Sequence, residues 1–399
     1  MMGTKNFNPF NEVASGDRFV GREKARKFFE QRLNGLSAGS PSHAIVAGAN
    51  GTGKTSYLRR IIELAREQGY ATAFFEPGPN ADQAATMSIA PIIGEIVRGV
   101  DARLNQQKLG DDWDLGVGSK LFDTPKVADP PSQVVVRDLK YLQERMLPEV
   151  PGVLVCIDEG RRISGTALST LKLVLSDPEV TRFLVFVSHF ASREQTAVVE
   201  ARAELKERAQ HASGDQGADA FLKGGIALGP FESDEIAADC IRKRLVDNVL
   251  EFDDDVVRHI GRIEELHPRQ MIDLASDVYE AASELGAAKA TFTHLVAGFE
   301  RRHPNEKEDS QRAFDGLPGT ARDAVAALLR LRRESTADEV VEAMYGDDAA
   351  NAAKARLASV VRNDLELACA TRIVRRVGEE RYATSDERRA FAFDLAMRE

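Results

Sequence analysis

Between His43 and Arg60 the chain reads HAIVAGANGTGKTSYLRR, and no other stretch limits the possible folds as strongly. A short apolar run, Ala44 to Ala47, leads into Gly48-Ala49-Asn50-Gly51-Thr52-Gly53-Lys54-Thr55, which matches the phosphate-cradling pattern G-x-x-x-x-G-K-[ST]. The apolar run predicts a buried strand. Leu58, Ile61, Ile62 and Leu64 then share one side of a helix expected over Lys54 to Gln68. Glycines at this turn let the backbone bend sharply and aim its N–H groups at phosphate oxygens. The helix N-terminus adds partial positive charge. Lys54 is expected to reach the β- and γ-phosphates, and the Thr55 hydroxyl to help hold Mg²⁺. Gly48, Asn50, Gly51, Thr52, Gly53, Lys54, Thr55 and Ser56 therefore form the expected binding set for ATP with Mg²⁺.

The second chemical element is Val153-Leu154-Val155-Cys156-Ile157-Asp158-Glu159, an apolar run ending in two carboxylates. It predicts a buried strand with acids at its C-terminal edge, where open α/β sheets place ligand chemistry. Asp158 is expected to bind Mg²⁺ through its water shell, and Glu159 to orient and deprotonate an attacking water. That favours hydrolysis over transfer to a metabolite, for which no acceptor pocket is legible. A further strand, Phe183 to Val187, ends in Ser188-His189. Ser188 is placed to hydrogen-bond the water or the γ-phosphate, whereas His189 reads as a packing residue. Runs at Ala71 to Glu76 and Gly225 to Leu228 complete five strands alternating with helices, as in a doubly wound parallel sheet. Asn105 to Pro131, which holds the only tryptophan, Trp113, reads as a long loop or insertion.

Beyond Ser233 the periodicity becomes helical throughout. Four regions are expected: an α/β domain over 1–231, a helical lid over 232–300, a charged linker over 301–317, and a last domain over 318–399. Arg269, beside Pro268 at the start of a lid helix, is positioned to reach the phosphates and couple the lid to nucleotide state. In the last domain Thr336-Ala337-Asp338-Glu339 matches a capping box before a second helix. A third helix is expected to turn Leu357, Val360, Val361 and Leu365 inward, followed by two strands around Gly378-Glu379-Glu380. Three helices and a hairpin make a winged helix-turn-helix. The outward side of its third helix would present Arg356, Ser359, Arg362 and Asn363 to base edges, with Arg375 and Arg376 holding phosphates. Acids nearby dilute that patch, and docking to protein remains the alternative.

Composition narrows the partners. A formal net charge of -10 disfavours nonspecific coating of nucleic acid but leaves room for a local basic patch. Three cysteines, widely spaced and odd in number, form no metal or disulfide pattern and read as small buried hydrophobes. No apolar run approaches the length of a membrane span, and the first residues carry no signal pattern. A cytoplasmic location is expected, with no membrane partner.

Taken together, Val20-Gly21-Arg22-Glu23, GANGTGKT, VLVCIDE, Ser188, LGPFESDEI, HPRQM and the C-terminal winged helix resemble AAA+ ATPases of the origin-recognition and replication-initiator type. The resemblance implies an α/β fold: a P-loop AAA+ parallel sheet flanked by helices, then an all-α lid and a winged helix-turn-helix domain. It implies that Phe19, Val20 and Gly21 lie near adenine, that Ser188 is the first sensor and Arg269 the second, and that the chain forms a homo-oligomer or engages a partner protein, with DNA on the winged helix. Replication initiation, a mobile element or phage defence would each suit such a protein. One departure stands out. The family's arginine finger precedes the fifth strand, where this chain has Ala218-Asp219-Ala220-Phe221-Leu222-Lys223. Arg161, Arg162, Arg193, Arg202 and Arg208 lie elsewhere, so hydrolysis is expected to be slow, to need a partner, or to use Lys223 or one of these displaced arginines.

Overall fold

The computed structural model describes residues 8–11, 18–76, 89–106, 132–146, 149–214, 222–246, 248–331, 335–345, 351–370, 374–377, 381–384 and 391–392. The chain divides into two compact units, Val13–Phe231 and Met1–Glu12 with Glu232–Glu399.

The first unit is built on β1 (Ala44–Gly48), β2 (Ala71–Phe75), β3 (Val153–Ile157), β4 (Phe183–Phe190) and β5 (Gly224–Ala227), all parallel in the order β2-β3-β4-β1-β5. Successive side chains of a strand point to opposite faces, and the burial pattern obeys that rule. Ile45, Val155, Ile157, Val185 and Val187 face one hydrophobic cluster, and Val46, Leu154, Cys156, Leu184 and Phe186 face the other. Helices α1 (Glu23–Ser37) and α2 (Lys54–Glu67) cover the second face; α3 (Ile89–Gln106), α4 (Ser132–Met146), α5 (Gly165–Leu175) and α6 (Ala197–Ser213) cover the first. Burial on both faces explains why β1, β3 and the first part of β4 are apolar runs without alternation. The expected parallel sheet is present. Ser188 and His189 lie within β4, which continues to Phe190, because β1 pairs with it as far as Gly48. From residue 107 onward, the expected 105–131 insertion with Trp113 lies outside the described residues.

The second unit begins with α7 (Asp234–Leu245), α8 (Asp254–Ile263), α9 (Pro268–Glu284) and α10 (Phe292–Arg302). It is not purely helical. Two-residue strands β6 (Glu251–Phe252) and β7 (Lys289–Ala290) pair in parallel between the helices. The start of the chain also packs in this unit, although the sequence grouped it with the sheet. Phe10 stacks at 5.8 Å on Phe252 and 6.3 Å on Tyr279, and Asn8 Nδ2 donates to Ser276 Oγ at 2.8 Å. Arg302 ties α10 to α9 through Asp273 at 2.6 Å and Asp277 at 3.3 Å.

The segment expected as a linker, 301–317, is itself helical over α11 (Glu306–Asp315). Pro304 breaks the chain after α10, and Glu306, Glu308 and Asp309 then favour a new N-terminus through the helix dipole. The last elements are α12 (Gly319–Leu331), β8 (Ser335–Thr336), α13 (Ala337–Tyr345), α14 (Asn351–Ala370), β9 (Val374–Val377) and β10 (Arg381–Thr384). The strands form an antiparallel sheet in the order β8-β10-β9. The expected capping box is made: Glu339 N donates to Thr336 Oγ1 at 3.3 Å, and Thr336 N to Glu339 Oε2 at 2.7 Å. Phe391 packs against Phe299 at 5.0 Å and Phe292 at 5.9 Å.

Candidate active site

Three segments converge at the C-terminal edge of the sheet. The loop after β1 turns through Gly51 (φ 80°) and Gly53 (φ 92°), where only glycine sits without strain. Gly48 is demanded by space: a Cβ there would lie 2.3 Å from Leu228 O. Lys54 Nζ donates to Gly48 O at 3.0 Å and Ala49 O at 2.9 Å, so the ammonium is held within the loop. Burial lowers its pKa from the ordinary lysine range, against the pull of Glu159 and Asp158, while Arg161 lowers it further.

Asp158 is buried at 2% exposure, and its two oxygens organise the other groups. Thr55 Oγ1 donates to Oδ2 at 2.6 Å. Ser188 Oγ donates to Oδ1, which also accepts from Glu159 N at 3.0 Å. The Glu159 amide is shared with Ser188 Oγ, again at 3.0 Å. Glu159 itself adopts the left-handed region (φ 51°), a conformation that costs a non-glycine residue about 1 kcal/mol or more. Two clamps hold that turn. A Cβ on Gly160 would lie 2.5 Å from Ser188 O, and Arg208 donates to Gly160 O at 3.3 Å and Ile163 O at 2.7 Å. His189, buried beside it, contacts Phe190 O through Nδ1 at 2.7 Å, and burial pushes its pKa down, in keeping with a neutral packing residue.

The donor set suits one small hard cation that takes most of its ligands from elsewhere. A hydroxyl and a carboxylate converge, and no cluster of three metal-ligating side chains occurs among the described residues. Magnesium is held in this way, by one or two carboxylates with phosphate and water completing the shell.

The AAA ATPase domain family matches residues 18–381. The chain belongs to that family. The glycine-rich loop after β1 thus lies within an AAA ATPase domain. Among solved structures, Cdc6p from Pyrobaculum aerophilum is similar with TM-score 0.52 and 16% identity, covering 98% of this chain and 96% of that one. The Aeropyrum pernix ORC2 protein, in ADPNP–ADP complexes, has TM-score 0.51 and 15% identity over 99% and 98% of the two chains. At such identities the likeness is one of fold. No curated protein matches the sequence.

In this AAA domain the structure brings together Lys54, Thr55, Asp158, Glu159 and Ser188. Asn50 is exposed and Ser56 half-buried in the first turn of α2. Phe19 packs partly buried against the α1 and α2 cluster, with Val20 and Gly21 following it. Arg269 belongs to the other unit, in the first turn of α9, exposed and 4.0 Å from Asp273. Of the arginines considered as fingers, Arg202 donates to Leu222 O, Arg208 clamps the Glu159 turn, Arg161 stacks 4.8 Å above Phe190, and Arg193 is exposed.

In the sequence Arg22 stands out only through the family resemblance, yet the structure gives its guanidinium three backbone acceptors. The residue is 8% exposed, and its side chain donates to Thr52 O at 2.9 Å, Gly229 O at 2.5 Å and Pro230 O at 3.0 Å. The local signal was slight: an arginine directly after a glycine, among other charged residues.

On α14, Arg356, Ser359, Arg362 and Asn363 are exposed as expected. Val360, expected inward, is 49% exposed. The buried stripe runs through Ala358, Val361, Leu365 and Ala368, so Val360 falls on the far side with Leu367 at 47% exposure. Arg375 is exposed on β9, whereas Arg376 pairs with Glu366 at 3.3 Å, and Glu366 Oε1 also accepts from Tyr382 Oη at 2.8 Å. Among the described residues no helix is long and apolar enough to cross a membrane.

Proposed function

We propose that this AAA ATPase binds ATP with Mg²⁺ and hydrolyses it, slowly or on assembly, and that its last domain (318–399) is a winged helix coupling nucleotide state to duplex DNA. The observation that carries the reading is the meeting of Thr55, Ser188 and the Glu159 amide on one buried carboxylate, Asp158. The loop amides from Gly51 to Thr55, with Lys54, hold the phosphates. Thr55 and Asp158 hold Mg²⁺, which when bound draws charge from the phosphates. Glu159 accepts the proton of the attacking water, and Ser188 orients that water or the γ-phosphate. Arg269 acts as second sensor and Phe19, Val20 and Gly21 border adenine, as the family resemblance implies. The segment 218–223 carries no arginine, so turnover is slow, depends on a partner or a second copy, or uses Lys223 or a displaced arginine.

Support for the winged helix comes from the order helix, strand, helix, helix, strand, strand, and from arginines exposed on α14 and β9. A second reading, a regulatory ATPase whose last domain docks protein, is favoured by Val360 and Leu367 on that same face and by the neutralising Glu366–Arg376 pair. Phosphate release by wild type and a Glu159→Gln variant tests hydrolysis: the variant binds ATP and releases none. Duplex binding that weakens steeply with salt, and is lost on charge reversal at Arg362 and Arg375, supports DNA; indifference to both supports protein docking.

A further inference from the structure

Arg22 grips both the nucleotide loop and the stretch that leaves the first unit. Its Nη2 donates to both Thr52 O and Gly229 O and its Nη1 to Pro230 O, and the guanidinium stacks 5.1 Å from the centroid of Phe231. Gly229, Pro230 and Phe231 are the last residues of that unit, and the chain enters the second at Glu232. The backbone is bent to achieve this: Gly21 and Arg22 are both left-handed, at φ 65° and 66°. A left-handed arginine is strained, and such strain persists where surrounding contacts over-determine it.

The chemistry follows from the planarity of one peptide unit. Thr52 C=O and Gly53 N–H belong to the same rigid trans amide and point in opposite directions. In a P-loop the amide hydrogens face the phosphates. A bound polyphosphate and the Arg22 guanidinium therefore hold opposite ends of a single group. A cation on the carbonyl oxygen also polarises the amide and strengthens its N–H as a donor. When phosphate orients the Gly53 amide, the Thr52 carbonyl becomes a better-placed acceptor, and the guanidinium is pinned against Gly229 and Pro230.

We infer that Arg22 is a positioning residue that couples nucleotide occupancy of the P-loop to the order of the Gly229–Phe231 connector. The inference rests on the nucleotide-binding reading above. By linkage, whatever the nucleotide does to the connector, the connector does to nucleotide affinity. Phe231 has no place in the phosphate loop, yet removing its ring should weaken nucleotide binding through Arg22.

The test uses the full chain with ATP and Mg²⁺, in wild type, Arg22→Ala, Arg22→Lys, Phe231→Leu and the Arg22→Ala/Phe231→Leu double variant. Calorimetric affinity and amide exchange across 222–233 are measured with and without nucleotide. In wild type, nucleotide should slow exchange in that stretch by about fivefold or more. Arg22→Ala and Arg22→Lys should still bind but lose the slowing, since lysine has no fork to span two carbonyl directions. Phe231→Leu should raise Kd by about threefold or more, and the double variant should be no worse than Arg22→Ala alone. Slowing that survives in Arg22→Ala, or losses that add in the double variant, overturns the inference while nucleotide binding stands. Should Arg22→Ala fail to fold, Arg22→Lys and Phe231→Leu carry the same contrast. Wild type that takes up no nucleotide overturns the underlying reading and the coupling with it.

Discussion

Thr55 Oγ1 lies 2.6 Å from Asp158 Oδ2, although 103 positions of chain separate the two residues. The contact spans from the start of α2 to the end of β3, past the intervening strand β4, whose Ser188 takes the second carboxylate oxygen. One buried acid thus registers the P-loop helix and two strand ends against each other.

Asp158→Asn keeps the shape and removes the charge. The side-chain nitrogen then meets a hydroxyl donor, and the cation loses its only carboxylate of this pair. Nucleotide affinity with Mg²⁺ should fall about tenfold or more, while affinity in chelator should change by less than about threefold. Titrations with and without Mg²⁺ check this; equal losses in both would point to a collapsed loop instead.

Gly160→Ala tests the turn that presents Glu159. The new Cβ would meet Ser188 O and Val187 Cγ1 at 2.5 Å, and the backbone carbonyl has little room to yield. Overpacking of this kind costs about 1–3 kcal/mol in stability. Displacing Glu159 should slow phosphate release by about tenfold to a hundredfold, with ATP affinity nearly unchanged. Melting temperature and single-turnover rates on the same sample separate the two effects.

His43 sets an acid limit on stability. Its imidazole is buried, its Nδ1 accepts from Val185 N at 3.2 Å, and burial drives its pKa from 6.5 to about 4, with Lys223 and Arg32 adding and a Leu175 backbone hydrogen bond opposing. The folded state resists protonation and the unfolded state does not. The stabilisation is therefore fully present above pH 6.5 and lost as pH falls towards 4, by about 3 kcal/mol. Urea unfolding of wild type and His43→Asn at pH 7 and pH 4 should show a smaller acid loss in the variant. Parallel losses would remove His43 as the source.

Much of the first unit was legible because its signals are local. Strands buried on both faces must be apolar runs, and phosphate binding needs its glycines, lysine and threonine side by side. The Thr336–Glu339 cap was legible for the same reason. What stayed hidden depends on partners distant in sequence. Phe10 joins Phe252 and Tyr279, which no spacing announces, and β6 and β7 are too short to carry a period. On α14, Ala358 and Ala368 occupy inward positions that hydrophobicity alone assigns to Val360. Arg22 and Arg208 work by donating to backbone carbonyls, and any residue type can supply the acceptor.

Calorimetric titration of ATP with Mg²⁺ into wild type and Lys54→Ala tests the central claim most directly. Wild type should bind one nucleotide per chain, and the variant, folded by circular dichroism, should bind at least about tenfold more weakly. Two folded proteins that give no heat with ATP, or bind it equally well, would contradict the account.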